Sequence, residues 1–559
     1  MDFNRRQMLG GAGAAMLLGP AAARAAQAPP APAGFAAIAP RVRAFARAVL
    51  ARNGFPGVSI ALVGPGGWSS ALAVGYADLD SRTLATPHQL FQIGSITKSL
   101  TGMALFVLAG RGRLDLDAKA QDLLPDVPLP PEPITVRNLL EHSSGLPNTV
   151  EPTPFLTVPG GRLWTGFAPG SRYSYCNLGY TLLGLIIERA SGMPFARAME
   201  TLVLRPIGMA GAKPVIHSAD RALYAEGHVR LREDIPWLPR AALTEARWLE
   251  VHTAAGSVAA SAHDMVPYLR RIVELGRGKG APLFSDALAE RYRTPTIAST
   301  HGPGARYGNG LALLDVGGAP AYRHTGGMIG FSSAMTVDAA AGVACHASVN
   351  VGGAGGYRPI EISEYGVALL RAAAAGRPLP PAPQPQGPRP ITEPARFAGR
   401  WLGTDGREFT IADRGGALFV ASGGTERPLV AAGTRGVGTD HHRLAPYVLT
   451  LEPGDTPILR LGSALFGRGA APALPAVDPA LEALAGDYYS PGEWDGRVSV
   501  YAVGRRLFLG MEEIVAAPDG SWRAAAEGNL TVERVWFEDR VAGRPQNLNL
   551  SGSRFYRVG

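Results

Sequence analysis

Phe91-Gln-Ile-Gly-Ser-Ile-Thr-Lys98, with the apolar run Ser99-Leu-Thr-Gly-Met-Ala-Leu-Phe-Val-Leu108 behind it, decides how this chain is read. The spacing predicts a long helix from Ser95 to about Leu108 with a serine at its N-terminus. A serine there has an ordinary use, because its hydroxyl caps free backbone N–H groups. The position of Lys98 adds a second use. Residues i and i+3 share a helix face, so Lys98 stands one turn above Ser95. A hydroxyl at its free pKa is a poor nucleophile, and an amine kept partly neutral by burial or by other cations can take its proton. The helix N-terminus also offers N–H groups to a developing oxyanion.

Two further groups stand downstream. Tyr175-Cys-Asn177 follows the turn Pro169-Gly-Ser-Arg172 and leads into an apolar helix near Thr181 to Ser191. Core packing would account for Tyr175 and helix capping for Asn177. Read as chemistry, a tyrosine whose pKa is lowered by nearby Lys98 would shuttle a proton between Ser95 and a leaving group. Asn177 would hold Lys98 or a substrate amide. His324-Thr-Gly-Gly327 precedes a strand-like run. A lone histidine is commonly structural, but a Gly-Gly step inside a strand marks close backbone approach. Small residues there let a ligand lie along the strand edge.

In this order the three groups resemble the active-site elements of the serine β-lactamase and penicillin-binding family. The likeness is to its class C-like branch, which includes esterases, D-aminopeptidases and D-Ala-D-Ala carboxypeptidase-like enzymes. Ile134-Thr-Val-Arg-Asn-Leu-Leu-Glu-His-Ser-Ser-Gly-Leu-Pro147 and Arg205-Pro-Ile-Gly-Met209 agree with it, and it covers about residues 38 to 374. The resemblance implies an acyl-accepting Ser95, proton handling by Lys98 and Tyr175, and orientation by Asn177. Which of Lys98 and Tyr175 is the acylation base stays open. It further implies substrate binding along His324, Thr325 and Gly326, an oxyanion held by the backbone N–H groups of Ser95 and Gly327, and neither metal nor cofactor. One departure stands out: class C β-lactamases carry lysine where this chain has His324. Histidine is mostly neutral near pH 7, so carboxylate recognition should be weaker, and the His-x-Gly form is more like D-aminopeptidases and esterases.

A length of 559 residues exceeds what one core supports and predicts about three folded units. The fold class expected is α+β: residues 35–375 as a catalytic domain, an antiparallel sheet flanked by helices with a helical lobe inserted. Helical spacing runs from Ile38 to Ala51, and a hairpin joins Gly57–Val63 to Trp68–Tyr76 across Gly64-Pro-Gly-Gly67. Strands are expected at Ser332–Val337 and Ala344–Val349, with a closing helix at Ile360–Ala374. Residues 376–394 are Pro-rich and predict an extended, semi-rigid linker. Beyond it an internal repeat appears. Phe397-Ala-Gly-Arg-Trp401 resembles Leu484-Ala-Gly-Asp-Tyr488, and Leu418-Phe-Val420 resembles Leu507-Phe-Leu509. Two small antiparallel β-barrels, 395–472 and 478–559, account for it. A Pro-linked pair of β domains also resembles the D-aminopeptidase architecture, in which a barrel loop reaches the cleft; passive spacer modules are the alternative.

Residues 1–28 read as a twin-arginine-type leader, with Asn4-Arg-Arg-Gln-Met-Leu9, a short apolar stretch, and Ala23-Arg-Ala25 for cleavage. A periplasmic or secreted protein without stable membrane insertion is expected. The net charge of +8 is scattered along the chain with no long Lys/Arg run and speaks against nucleic-acid binding. Cys176 and Cys345 make no framework. No Gly-x-Ser-x-Gly elbow and no metal-ligand spacing occur, and the adjacent His441 and His442 read as a solvated loop pair. The chain therefore reads as an exported serine hydrolase acting on small amides, esters or short peptides. A β-lactamase or D-Ala-D-Ala carboxypeptidase, and a non-catalytic envelope-binding protein, are the competing readings. The oligomeric state is not legible.

Overall fold

The hairpin expected across Gly64–Gly67 is present in the computed structural model, where Gly57–Val63 pairs antiparallel with Ser69–Asp78, Val58 opposite Val74. The structure describes residues 34–149, 158–231, 237–353, 356–387 and 390–558, apart from positions 434, 446, 474, 493, 495 and 529. The leader read into residues 1–28 lies outside them. On its other edge Gly57–Val63 pairs with Val343–Val349, so the two ends of the domain complete one sheet. Nine strands form it, continuing through Phe331–Asp338, Pro320–Met328 and Leu311–Asp315.

Alternation assigns the two faces. Val58, Ile60 and Leu62, with Val343, Cys345, Ala347 and Val349, join one core with the helices Ile38–Asn53 and Ile360–Ala374. Gly366 seats the second helix, since a β-carbon there would fall 2.6 Å from Cys345 Sγ. Ala61, Val63 and Ala344 turn to the other face and join a larger core with the helices Ala262–Gly276, Thr97–Gly110 and Asn177–Ser191. The last of these begins four residues before the expected start. Cys176 caps it, its Sγ accepting from the Gly179 N–H at 3.2 Å. Both cysteines are buried and free, which settles their pairing.

The Pro-rich linker lies against the catalytic domain. Arg41 donates to the Leu379 and Pro380 carbonyls, and Glu361 Oε2 accepts from the Gln386 N–H at 2.7 Å. Both β domains then form. The second is a closed eight-stranded antiparallel barrel, in which Ser553–Arg557 returns to pair with Gly486–Ser490. The first is a nine-stranded sheet whose edge strands, Thr425–Pro428 and Val430–Ala432, are separated only by Leu429, so it is nearly closed.

The repeated motif builds the same lock twice. Trp401 Nε1 donates to the Phe397 carbonyl at 2.7 Å, and Tyr488 Oη donates to the Leu484 carbonyl at 2.8 Å. Arg468 and Arg557 cover the two rings at 5.4 and 5.1 Å. The solvated pair expected at His441 and His442 is corrected by half. His441 is fully buried, its Nε2 within 3.2 Å of the Ser422 carbonyl.

Candidate active site

Ser95 sits in a 3₁₀ turn, Gly94–Ile96, that feeds the helix Thr97–Gly110. The turn needs glycine at 94: its φ is +54°, and a β-carbon would fall 2.7 Å from Gly327 N. That close approach sets the Ser95 and Gly327 backbones side by side. Gly326 stands on the other face of the strand, where a β-carbon would strike the Ile93 carbonyl and Ser333 Oγ. It lets strand and turn close up and does not border the cleft. Pairing of Pro320–Met328 with Leu311–Asp315 stops at Arg323, and His324, Thr325 and Gly327 border the cleft beyond it.

Lys98 is fully buried beneath the partly exposed Ser95. Its Nζ lies 3.0 Å from Ser95 Oγ, 2.8 Å from Asn177 Oδ1 and 2.7 Å from the Ala255 carbonyl oxygen. Burial holds its pKa well below the usual lysine range. A neutral amine has two N–H bonds and one lone pair. Asn177 Oδ1 and the Ala255 carbonyl can only accept, so they take both N–H bonds, and the lone pair is left for the Ser95 hydroxyl.

Tyr175 lines the cleft beside Ser95, and Lys98 Nζ stands over its ring, 4.9 Å from the centroid. Burial pushes its phenol up, against the opposing pull of a hydrogen bond with Ser95 and of the Arg358 guanidinium. This reverses the expectation that Lys98 lowers it. A buried neutral amine brings no positive charge to stabilise a phenolate. Tyr175 therefore stays a hydroxyl, able to pass a proton but not to act as a standing base. Behind it the fully buried His142 accepts from the Cys176 N–H with Nδ1 at 3.1 Å, its ring 4.3 Å from that of Tyr175.

His324 has both ring nitrogens engaged. Nδ1 lies 2.7 Å from the Thr325 carbonyl, which can only accept, so Nδ1 carries the proton and Nε2 accepts from Tyr307 Oη at 2.9 Å. Burial brings its pKa down to about 3. The expected neutrality holds, over a wider pH range than the residue type alone suggests.

Three residues that the sequence reading passed over complete the site. Asn148, directly after the quoted Ser-Ser-Gly-Leu-Pro147, accepts from Asn177 Nδ2 at 3.0 Å, and its place in that motif was the available signal. Arg358 comes from the loop before the closing helix, and a β-carbon at 327 would collide with its guanidinium. Glu533 comes from the second β domain. All three border a cleft of about 800 Å³, together with Ser95, Tyr175 and His324. Glu527, Gly528, Thr531, Val532 and Glu533 form one wall, with Glu527 ion-paired to Arg172.

A model of the family described as Beta-lactamase matches residues 42–364, more than half of the chain. Protein flp of Staphylococcus aureus is 30% identical over 174 residues, 29% of this chain and 35% of that protein. Penicillin-binding protein 4* of Bacillus subtilis is 31% identical over 149 residues, 24% of this chain and 33% of that one. The matches thus span about a third of the length of these curated relatives. The octameric penicillin-binding protein homologue from Pyrococcus abyssi shares the fold, with TM-score 0.55 at 23% identity, over 77% of this chain and 99% of that chain.

Proposed function

The chain belongs to the beta-lactamase family, and on that premise we propose that it is a serine hydrolase forming an acyl-enzyme on Ser95. The observation that carries this is the Lys98 amine, fully buried, its pKa held well below the usual lysine range, and placed 3.0 Å from Ser95 Oγ with its other two contacts on acceptor oxygens. In acylation Lys98 takes the Ser95 proton while Oγ bonds to the substrate carbonyl carbon. The oxyanion rests on two N–H groups, that of Ser95 at the head of the helix and that of Gly327 on the neighbouring strand. The Tyr175 hydroxyl gives its proton to the leaving amine or alcohol and is refilled from Lys98. Water then attacks the ester, giving up a proton to the same groups, and frees Ser95.

The substrates proposed are small amides or esters, including D-amino-acid peptides. A cleft of about 800 Å³ walled by the second β domain accommodates a small molecule rather than a folded chain. One observation favours a second reading, as β-lactamase or D-Ala-D-Ala carboxypeptidase. His324 offers no charge, but the Arg358 guanidinium, always protonated, borders the cleft and can meet a substrate carboxylate. Turnover of D-Ala p-nitroanilide, short p-nitrophenyl esters and nitrocefin separates the two. Faster nitrocefin hydrolysis would give the second reading precedence, and no turnover of any of them would count against both. Export through the leader to the periplasm or medium is part of the proposal, tested by fractionation with and without Arg5 and Arg6.

A further inference from the structure

Lys98 serves as a base only while its lone pair faces Ser95, and groups outside the reaction set that orientation. Asn177 presents Oδ1 to Lys98 because its Nδ2 and its backbone N–H both donate to Asn148 Oδ1, at 3.0 and 2.9 Å. A flipped Asn177 would offer Lys98 an N–H donor and draw the lone pair away from Ser95. Asn148 is held in turn from the second β domain, where Glu533 Oε1 accepts its backbone N–H at 2.9 Å.

Glu533 is 8% exposed and is fixed by its neighbours. The Val532 carbonyl accepts from Trp164 Nε1 at 2.9 Å, the Arg534 guanidinium lies 4.6 Å over the same indole, and Trp536 meets its edge at 5.4 Å. Gly166 admits the segment, since a β-carbon there would stand 2.9 Å from Val532 Cα. An unbroken series of hydrogen bonds therefore runs from the barrel through Asn148 and Asn177 to the catalytic amine.

We propose that Glu533, acting through Asn148 and Asn177, is a positioning residue for Lys98, so that docking of the second β domain completes the acylating orientation of the amine. The inference rests on the Ser95–Lys98 reading above.

The test measures acylation of Ser95 by a fluorophosphonate, and the pH profile of ester kcat/KM, on the full chain. Glu533→Ala slows acylation about tenfold through kcat, with KM little changed. It also moves the acid limb of the profile to lower pH, because a flipped Asn177 disfavours the ammonium. Glu533→Gln keeps an acceptor oxygen and restores the rate to within about twofold of the unaltered protein. Combined with Asn148→Leu, Glu533→Ala adds no further loss, as two links of one series require. A Glu533→Ala protein that acylates at the unaltered rate, or losses that multiply in the double variant, would overturn the proposal. If Glu533→Ala does not fold, Asn148→Asp, which keeps the acceptor, should outpace Asn148→Leu, and equal rates would overturn it too. An unaltered protein that takes no adduct on Ser95 would overturn the underlying reading as well.

Discussion

The two C-terminal domains share one lock, a ring donating to a carbonyl four residues back under a covering arginine, yet they stand in different relations to the cleft. The first meets the second through Arg460, which pairs with Glu452 at 3.0 Å and lies 4.1 Å over Phe508, and through a small apolar cluster of Leu465, Val503 and Phe508. The second reaches the cleft with Glu527, Gly528 and Thr531 to Glu533. A duplicated scaffold has thus kept its framing contacts in both copies, while one copy carries the segment that touches chemistry. The lock supplies stability; Glu527, Gly528 and Thr531 to Glu533, between the strands Trp522–Ala524 and Val535–Val541, supply a wall of the site.

The largest effects should come from the locks themselves. Trp401 and Tyr488 are both fully buried, so Trp401→Ala or Tyr488→Ala should each cost about 3–5 kcal/mol, read by thermal unfolding. The comparison predicts a split in activity. Acylation survives in the folded Trp401→Ala protein and falls in Tyr488→Ala, whose barrel carries the wall. Equal loss in both would erase the distinction between the domains.

A pH effect separates the catalytic domain from both appendages. Burial brings His324 and His346 in its sheet down to about 3. Between about pH 6.5 and 3 the unfolded chain binds these protons and the folded one does not, so stability rises with pH across that window and is lost as pH falls through it. Each histidine contributes a slope of roughly 1.4 kcal/mol per pH unit. Denaturant melts on a pH series should show the catalytic domain failing first, with His346→Leu flattening the slope. The smallest effect belongs to the exposed Arg172–Glu527 pair. Glu527→Gln should change stability by less than about 0.5 kcal/mol, and a larger change would mean that this ion pair, rather than Glu533 and Trp164, docks the wall.

Near-continuous apolar runs made the sheet legible, since Gly57–Val63 and Ala344–Val349 belong to strands buried on both faces, and the order of elements brings them together. Ser95, Lys98, Tyr175 and Asn177 were legible as types at known spacings, and the fold gathers them. What the sequence hid depends on tertiary neighbours. The raised Tyr175 phenol follows from how it is packed, the buried His441 from a turn folding over it, and the early start of the helix at Asn177 from a thiol acting as its cap. Arg358 and Glu533 carry no local pattern, and only chain return from distant loops places them at the cleft. His324 is neutral, as its residue type suggests, but the cleft is not without positive charge, because the Arg358 guanidinium also borders it.

The neutral Lys98 beside Ser95 is the centre of the account, and intact mass after fluorophosphonate treatment across a pH series tests it most directly. One adduct per chain, mapping to Ser95 and absent in Ser95→Ala, should form fully at neutral pH, with its acid limb far below the ordinary lysine pKa. Labelling that begins only near pH 10, where a free lysine loses its proton, or an adduct on another residue, would contradict it.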